Sequence, residues 1–587
     1  MEHVKTDIAI VGAGGAGIRA AIAIAQANPR LQVALISKVY PMRSHTCAAE
    51  GGAAGVKRAD DSLEMHFNDT VSGGDWLCDQ DVVEYFVQQA PLELIQLEHW
   101  GCPWSRDADG SVAVRPFGGM KKERTWYAAD KSGFHILHTL FQTSLQFPSI
   151  HRFDEFFCLD LLHENGHCRG VMAMEMRSGR FFHFEASAVI LATGGAGRIF
   201  PFTTNGAIKT GDGMAMAYRA GVALKDMEFV QYHPTGLPGT GILLTEGCRG
   251  EGGVLVNRHG YRYLQDYGMG PETPIGQPVF KTMELGPRDR LSQAFWHEQK
   301  KGNTVETAWG DCILMDMRHL GEKRINERLP LVRELATSYV GVDPVTDPVP
   351  VRPVVHYMMG GVDTNIDGET SMAGLYAIGE TACGSLNGAN RLGSNSLTEL
   401  LVFGKRAALC AVDYTTGPGA GQAPGTARQQ ADDAVRAVRE LLQRGSGSES
   451  LAGVRREMMT SLEEGAGIYR DAAGLEATCR TIAELQERFE HIEVHDKSNV
   501  FNTDLQQALE LKNMLDVAET VGASALARQE SRGAHQRLDF PERDDTSYLQ
   551  HSRAIRQPGE RPEVRWLDVT ITRSQPGVRN YSGDKQS

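Results

Sequence analysis

Residues 7–17 read Asp7-Ile8-Ala9-Ile10-Val11-Gly12-Ala13-Gly14-Gly15-Ala16-Gly17, a short apolar run that passes directly into a glycine-rich turn. Such a run suits a strand buried on both faces of a parallel sheet. The alanine- and isoleucine-rich stretch that follows predicts a helix to about residue 26, and residues 32–36 predict a second strand. In this order the pieces form a dinucleotide-binding unit, in which glycines let a pyrophosphate reach backbone N–H groups at a helix N-terminus. Gly12, Ala13, Gly14, Gly15 and Ala16 are therefore candidate cofactor contacts. A ribose-binding acid is missing: no Asp or Glu lies between Gly17 and Glu50, and the second strand ends Ile36-Ser37-Lys38. This counts against NAD, whereas a serine hydroxyl and a lysine suit the adenosine end of FAD.

A second run, Ala188-Val189-Ile190-Leu191-Ala192-Thr193-Gly194-Gly195, again ends a buried strand in glycines, as a return strand in a two-dinucleotide-type fold does. Thr210-Gly211-Asp212-Gly213 opens the next apolar helix, where Asp212 serves as an N-cap, as an acceptor for ribityl or ribose hydroxyls, or as both. From about residue 231 to 352 glycine and proline become denser and the βαβ rhythm is lost. It returns at Gly374-Leu375-Tyr376-Ala377-Ile378-Gly379-Glu380, a strand ending in an acid. The expected fold class is α/β: a split two-dinucleotide-type FAD-binding domain (1–230 and 353–414) with an inserted α+β capping domain (231–352). Residues 415–426 have the composition of a flexible linker. A helical bundle (427–540) is expected next, with apolar positions such as Leu451, Val454, Met458 and Leu462 at helical spacing. A small tail domain (541–587) follows, with a strand-like stretch over 564–571.

At 587 residues the chain exceeds a single hydrophobic core, and its 41% hydrophobic and 23% charged content is that of a globular protein. A net charge of −14 argues against a nucleic-acid partner. No apolar run approaches a membrane span; residues 186–192 are only strand-sized. The first strand is reached by residue 7, which leaves no room for a leader segment. Ten cysteines without a CxxC pair suggest reduced thiols rather than a metal or iron–sulfur site, and no metal ligands are assigned.

The loop Arg43-Ser44-His45-Thr46-Cys47-Ala48-Ala49-Glu50-Gly51-Gly52 follows the nucleotide unit and should lie close to whatever ring that unit holds. Farther along come Gln231-Tyr232-His233-Pro234-Thr235, Leu244-Thr245-Glu246-Gly247-Cys248-Arg249, Leu285-Gly286-Pro287-Arg288-Asp289, His356-Tyr357 and Asn390-Arg391-Leu392-Gly393-Ser394-Asn395-Ser396-Leu397. Arginines, histidines and a threonine set among glycines suit a small dianion. Guanidinium meets carboxylate with two parallel charge-assisted bonds, and the others add single directed donors. A salt bridge or a turn residue is the ordinary alternative for each alone. Cys248 beside Arg249 raises the question of an activated thiol, with a buried inert thiol as the alternative.

With these motifs the chain resembles the succinate dehydrogenase/fumarate reductase flavoprotein family from residue 7 to about 545, the fumarate reductases slightly more than the dehydrogenases. The resemblance implies a covalent FAD attached through His45, Arg288 as proton donor, and His233, Thr245, His356 and Arg391 as holders of the substrate carboxylates. Glu246 and Arg249 would relay protons to Arg288. Ser37, Lys38, the loop from Ser44 to Gly52, Phe156, Phe157, Cys158, Asp212, Tyr357, Glu380 and the run from Arg391 to Leu397 would contact the cofactor, with Ile36 beside them. Glu50 and Phe117 would line the flavin and substrate faces. The implied reaction interconverts fumarate and succinate, with hydride passing to or from the flavin.

The resemblance also implies partners: an iron–sulfur subunit, membrane anchors beyond it and the quinone pool, at the cytoplasmic side of the bacterial inner membrane. The helical region and the run from Glu530 to His535 are expected at the iron–sulfur contact. Direct passage from Phe117-Gly118-Gly119 to Met120-Lys121-Lys122, and the run Trp100-Gly101-Cys102-Pro103-Trp104, lean toward the fumarate reductase side over succinate dehydrogenase. His45 argues against the related L-aspartate oxidases. A non-catalytic flavin-binding assembly subunit is the alternative of another class, and Arg288, His356 and Arg391 together speak against it. Asn387 departs from the pattern, standing where the family usually carries histidine.

Overall fold

The computed structural model describes residues 1–269, 283–417, 426–445 and 447–579. Its organising element is a five-stranded sheet in the order Leu375–Ala377, Ala188–Leu191, Ile8–Val11, Val33–Ser37, Ile150–Asp154. Every pairing is parallel, and Val11 lies opposite both Leu191 and Ile36. The glycine turns after Val11 and Leu191 therefore leave the same edge of the sheet side by side. Gly12 has φ +113°, and a Cβ on it would meet the Ala192 carbonyl at 2.2 Å, so glycine is required there. Helix Gly15–Ala27 packs one face of this sheet together with Asn395–Thr416. A buried Arg19–Glu93 pair at 2.7 Å ties the first of them to helix Gln80–His99.

A four-stranded sheet has the order Glu2–Lys5, Phe181–Glu185, His167–Glu175, Phe156–Glu164; its last three strands lie in the chain between Ile150–Asp154 and Ala188–Leu191. Sequence reading assigned none of it. The inserted region is built on antiparallel strands Val230–Gly236, Val349–Met358, Gly310–Asp316 and Val254–Val256. Its apolar core includes Leu255, Leu291 and Met315. Helices Thr426–Gln443, Leu451–Gly465, Ala472–Phe489 and Thr503–Ala527 follow. Ser450, Asp471 and Asn502 each cap a helix by accepting a backbone N–H, and Val454, Met458 and Leu462 are buried as their spacing predicts.

Three expectations change here. The stretch expected as a linker is helical through Thr416, and its residues 418–425 lie outside the described residues. The tail does not stand alone: Gln550–Ile555 and Glu563–Asp568 extend a five-stranded sheet that holds Leu224–Lys225 and Gly361–Asp363. Its last residues, 580–587, also lie outside the described ones. Finally, Glu530, Arg532 and His535 are fully buried, so this run offers no docking face. Their charges are consumed internally, with Arg528 bonded to Glu228 and Glu530, and Arg532 to Glu530. Among the described residues no helix is long and apolar enough to cross a membrane.

Candidate active site

A cavity of about 400 Å³ opens at the edge where the two glycine turns meet. Its wall contains Gly12 to Ala16, Ile36 to Lys38, Ser44 to Glu50, Phe156, Cys158, Asp212, His356, Tyr357, Glu380, Arg391, Ser396 and Leu397. At one end Lys38 Nζ donates to Asp212 Oδ2 at 2.7 Å and to Glu510 Oε1 at 2.8 Å, and Thr210 Oγ1 takes a third bond at 2.9 Å. Lys38 thus anchors Asp212 to the helical bundle. Lys209, which sequence reading missed, is buried in the wall and paired with Glu380. Thr193 and Thr204 also line the wall without having been chosen. A lysine directly before Thr210-Gly211-Asp212 was the available signal for Lys209.

Other expected contacts fall outside this wall. Gly52 (φ +128°) presses on the Trp126 carbonyl, where a Cβ would come within 2.3 Å. Gly51 and Gly393 leave room for the Phe117 ring, which is buried with Ala54, Met120 and Leu392 and does not face the cavity. Ser394 Oγ accepts from Thr125 Oγ1 at 3.0 Å, and Asn395 Nδ2 donates to Thr70 Oγ1 at 3.1 Å. Phe157 lies beneath Lys38, whose Nζ is 5.6 Å from the ring centre. These residues brace the wall, because their side chains are already spent on neighbours.

His45 sits on a short 3-10 turn, His45–Ala48, against helix Ser132–Ser144. Its Nδ1 accepts from the Gly206 N–H at 3.3 Å, and Nε2 has no protein partner among the described residues. Burial, reinforced by Lys209, pushes its pKa well below the ordinary histidine value, so the ring is neutral. Ser44 Oγ and Glu50 Oε2 are buried in the same wall without a hydrogen-bond partner. Unsatisfied polar atoms around a glycine-lined, partly apolar slot fit a flavin dinucleotide: the turns receive its phosphates and the orphaned atoms its ring and ribityl groups.

Beyond Arg391 and His356 the cavity wall backs onto a cluster of buried charge. Arg288 Nε donates to Glu246 Oε2 at 2.9 Å, and Arg249 Nη2 lies 3.6 Å from the same oxygen. Arg288 Nη1 and Arg391 Nη2 each donate to Gln231 Oε1 at 3.2 Å. Arg391 also bonds Ser396 Oγ at 2.8 Å and lies 4.3 Å over the Tyr357 ring. The His233 and His356 rings are 5.1 Å apart, and Thr204 Oγ1 is 2.8 Å from His356 Nδ1. Thr245 is buried alongside, its Oγ1 accepting the Gly247 N–H at 3.3 Å.

This cluster has an excess of positive charge. Among the described residues Glu246 is the one carboxylate in salt-bridge contact with Arg249, Arg288 or Arg391. Three guanidiniums against one carboxylate leave two positive charges. Burial raises the pKa of Glu246, but Arg288 and Arg249 bring it below the ordinary value, so it stays ionised. Arg391 is depressed to about 10 by burial and by Arg288. Both histidines are held neutral by burial and the neighbouring arginines. His233 Nε2, Arg391 Nε, and Arg249 Nε and Nη2 are buried with no hydrogen-bond partner. Buried cations with unused donors are costly, so their convergence points to a function beyond packing.

Two expectations need correction or addition. Cys248 is fully buried, and burial raises its thiol far above the ordinary range despite Arg249 next to it; it is an inert thiol. Gln231, which opens the run to Thr235 without a role of its own in the sequence reading, is the side chain that joins the two arginines.

Comparison with known proteins agrees with this architecture. Residues 7–397 match the family model for the FAD binding domain, and residues 455–581 match that for the fumarate reductase flavoprotein C-terminus. A fumarate reductase flavoprotein subunit from Haemophilus influenzae is 59% identical, the match covering 100% of this chain and 98% of the relative. A solved quinol fumarate reductase flavoprotein mutant from E. coli superposes with a TM-score of 0.98 at 58% identity, covering 100% of both chains. A quinol-fumarate reductase structure with menaquinol molecules gives 0.96 at 59% identity, covering 98% of this chain and 100% of that one. The chain belongs to the fumarate reductase flavoprotein family, a family of FAD-binding oxidoreductases.

Proposed function

We propose that this chain is the flavoprotein subunit of a quinol:fumarate oxidoreductase and that it reduces fumarate to succinate, with Arg288 as the proton donor. The observation that carries this reading is the buried array of Glu246, Arg249, Arg288, Gln231 and Arg391 beside His356, with two unmatched positive charges and unused donors. A four-carbon dianion would neutralise that charge and satisfy those donors. FAD, when bound, would supply a hydride to one alkene carbon, and the protein's own donors would supply the proton to the other. The residues expected to hold it are those of the cavity wall, with His45 joined to it covalently through Nε2, the ring nitrogen that the Gly206 N–H leaves free.

Arg391, His233, His356 and Thr245 would grip the carboxylates. Donors on one carboxylate stabilise the enolate-like charge that develops there in the transition state. Arg288 gives its proton to the alkene carbon, and Glu246, 2.9 Å from its Nε, carries a replacement from Arg249. Burial, with the like charge of Arg288 beside it, depresses the pKa of Arg249, which eases transfer of its proton to Glu246. The same site runs in either direction, so succinate oxidation is the second reading of this geometry.

Electrons need an outlet, and an iron–sulfur subunit with membrane anchors beyond it is the proposed route to quinol, placing the chain on the cytoplasmic face of the bacterial inner membrane. Helix Ser132–Ser144, packed on the His45 turn, exposes Phe134, and Leu145 just past it is 61% exposed. That face supports docking of the iron–sulfur partner there. The test of the whole reading is Arg288→Gln in the assembled complex. Fumarate reduction with a reduced dye should vanish while covalent flavin is retained. Turnover near the wild-type rate would remove Arg288 from the mechanism.

A further inference from the structure

Past the last strand, Glu563–Asp568, residues 569–579 form no regular element, yet they are pinned at many points. The Thr570 N–H bonds Asp79 Oδ1 at 2.7 Å. Gln80 Oε1 accepts from the N–H groups of Thr572, Arg573 and Ser574 at 3.1, 3.0 and 2.9 Å. Trp76 Nε1 donates to Ser574 Oγ at 3.0 Å. The strap includes Arg579, whose side chain is 6% exposed. Its Nη1 lies 2.7 Å from Asp289 Oδ2, and its Nη2 lies 3.4 Å from Asp289 Oδ1 and 3.1 Å from the Gly73 carbonyl.

Nη1 also lies 3.6 Å from Asp75 Oδ2, which Arg543 pairs independently; the contacts with Asp289 and the Gly73 carbonyl lead to the arginine pair. Asp289 is the residue after Arg288, in the first turn of helix Arg288–Lys300, and its side chain is 1% exposed. The Gly73 carbonyl also takes Asn390 Nδ2 at 3.3 Å, and Asn390 precedes Arg391. Asn390 Oδ1 in turn accepts from Gln231 Nε2 at 2.9 Å, and Gln231 Oε1 holds Arg288 and Arg391. We propose that Arg579 is a positioning residue: through Asp289 and the Gly73 carbonyl it fixes the spacing of Arg288 and Arg391 across the boundary between inserted region and nucleotide-binding core. This rests on the reading of Arg288 as proton donor.

The physical reason is charge. Among the described residues the salt bridges of Asp289 are those with Arg579. Without Arg579 a buried carboxylate one residue from Arg288 loses its cation. The helix N-terminus compensates in part, and the remainder is relieved by moving the first turn toward water or toward another cation. Proton delivery tolerates little of that, since misplacement by about 1 Å costs on the order of a hundredfold in rate.

The test compares Arg579→Gln, Arg579→Lys and the double variant Asp289→Asn/Arg579→Gln in the assembled complex, with Arg288→Gln alongside. The rate of fumarate reduction is taken per covalent flavin. Arg579→Gln should lower kcat roughly 10- to 100-fold with a much smaller change in KM. Arg579→Lys, which keeps the charge and loses the fork, should fall in between. The double variant should recover several-fold, because the unpaired carboxylate is gone. A kcat within about twofold of wild type for Arg579→Gln, activity loss that merely follows flavin loss, or a double variant no faster than the single one would overturn the proposal. If Arg288→Gln itself turns over, the underlying reading fails instead, whatever Arg579 does.

Discussion

Arg288 and Arg391 share one acceptor, Gln231 Oε1, each at 3.2 Å. A neutral amide holds two like charges close together without cancelling either, which a carboxylate in its place would do. In the proposed reaction the cations would thereby stay available for a substrate dianion, and Glu246 on the far side of Arg288 for protons.

Gln231→Leu is therefore expected to leave two buried guanidinium N–H groups unmet and to let the pair separate. An unmet buried donor costs about 1–3 kcal/mol, so kcat/KM for fumarate should fall roughly 10- to 100-fold with covalent flavin unchanged. Gln231→Glu should act differently, raising KM more than it lowers kcat, because the new carboxylate competes with substrate for both arginines. Steady-state kinetics on the two variants separates these outcomes; a shared pattern would mean that Gln231 is filler.

His45→Ser should keep FAD in the cavity, since the glycine turns and Glu380 remain, while the flavin no longer stays on the chain in denaturing gels. A histidyl link withdraws electron density and makes the flavin a better oxidant. Succinate oxidation should then suffer more than fumarate reduction. Equal losses in the two directions would detach the proposed link from the potential.

His551 predicts a pH limit to stability. Burial disfavours its charged form, but Asp226 at 2.6 Å and Asp79 at 3.4 Å outweigh this and raise its pKa to about 9. Against an unfolded value of about 6.5 the difference of about 2.5 units corresponds to on the order of 3 kcal/mol. A raised pKa stabilises the fold fully below the unfolded value, and the contribution is lost as pH climbs through about 9. The wild-type melting temperature should therefore fall between about pH 7 and 9. His551→Asn should start lower and lose much of that slope; an unchanged slope would assign the pH dependence to other groups.

Local signals made much of this legible in advance. The strand, glycine turn and helix at Ile8 to Ala27, the return strand Ala188–Leu191 and the buried stripe Val454, Met458 and Leu462 all rest on spacings within about a dozen residues. What escaped depends on distance along the chain. Arg528 and Glu228 read separately as surface charges, yet 300 residues of separation close into a buried pair. Gln231 is an ordinary strand residue until Arg288 and Arg391 arrive on it, and Cys248 looks activated by Arg249 until burial is known.

Asn387 offers a test of how the protein sets its flavin potential. Its Nδ2 donates to Glu399 Oε2 at 2.9 Å, and the Tyr357 hydroxyl donates to the same oxygen at 2.9 Å. Tyr357 lines the cofactor cavity, and Arg391 lies 4.3 Å above its ring. Burial raises the Glu399 pKa, while the bonds from Asn387 and Tyr357 and the charge of Arg391 oppose that rise. In Asn387→His an imidazole would meet the same carboxylate and, when protonated, add a cation to this corner. Extra positive charge near the ring favours its reduced, anionic form, so the midpoint potential should rise by tens of millivolts; about 30 mV is a tenfold change for a two-electron couple. The rise should be largest at low pH and fade as the imidazole loses its proton. Asn387→Leu supplies no such charge and should lower the potential or leave it alone. Spectroelectrochemical titration of both variants across pH 6 to 9 reads this directly, and a potential in Asn387→His that does not differ from wild type at any pH would exclude the Glu399–Tyr357 route.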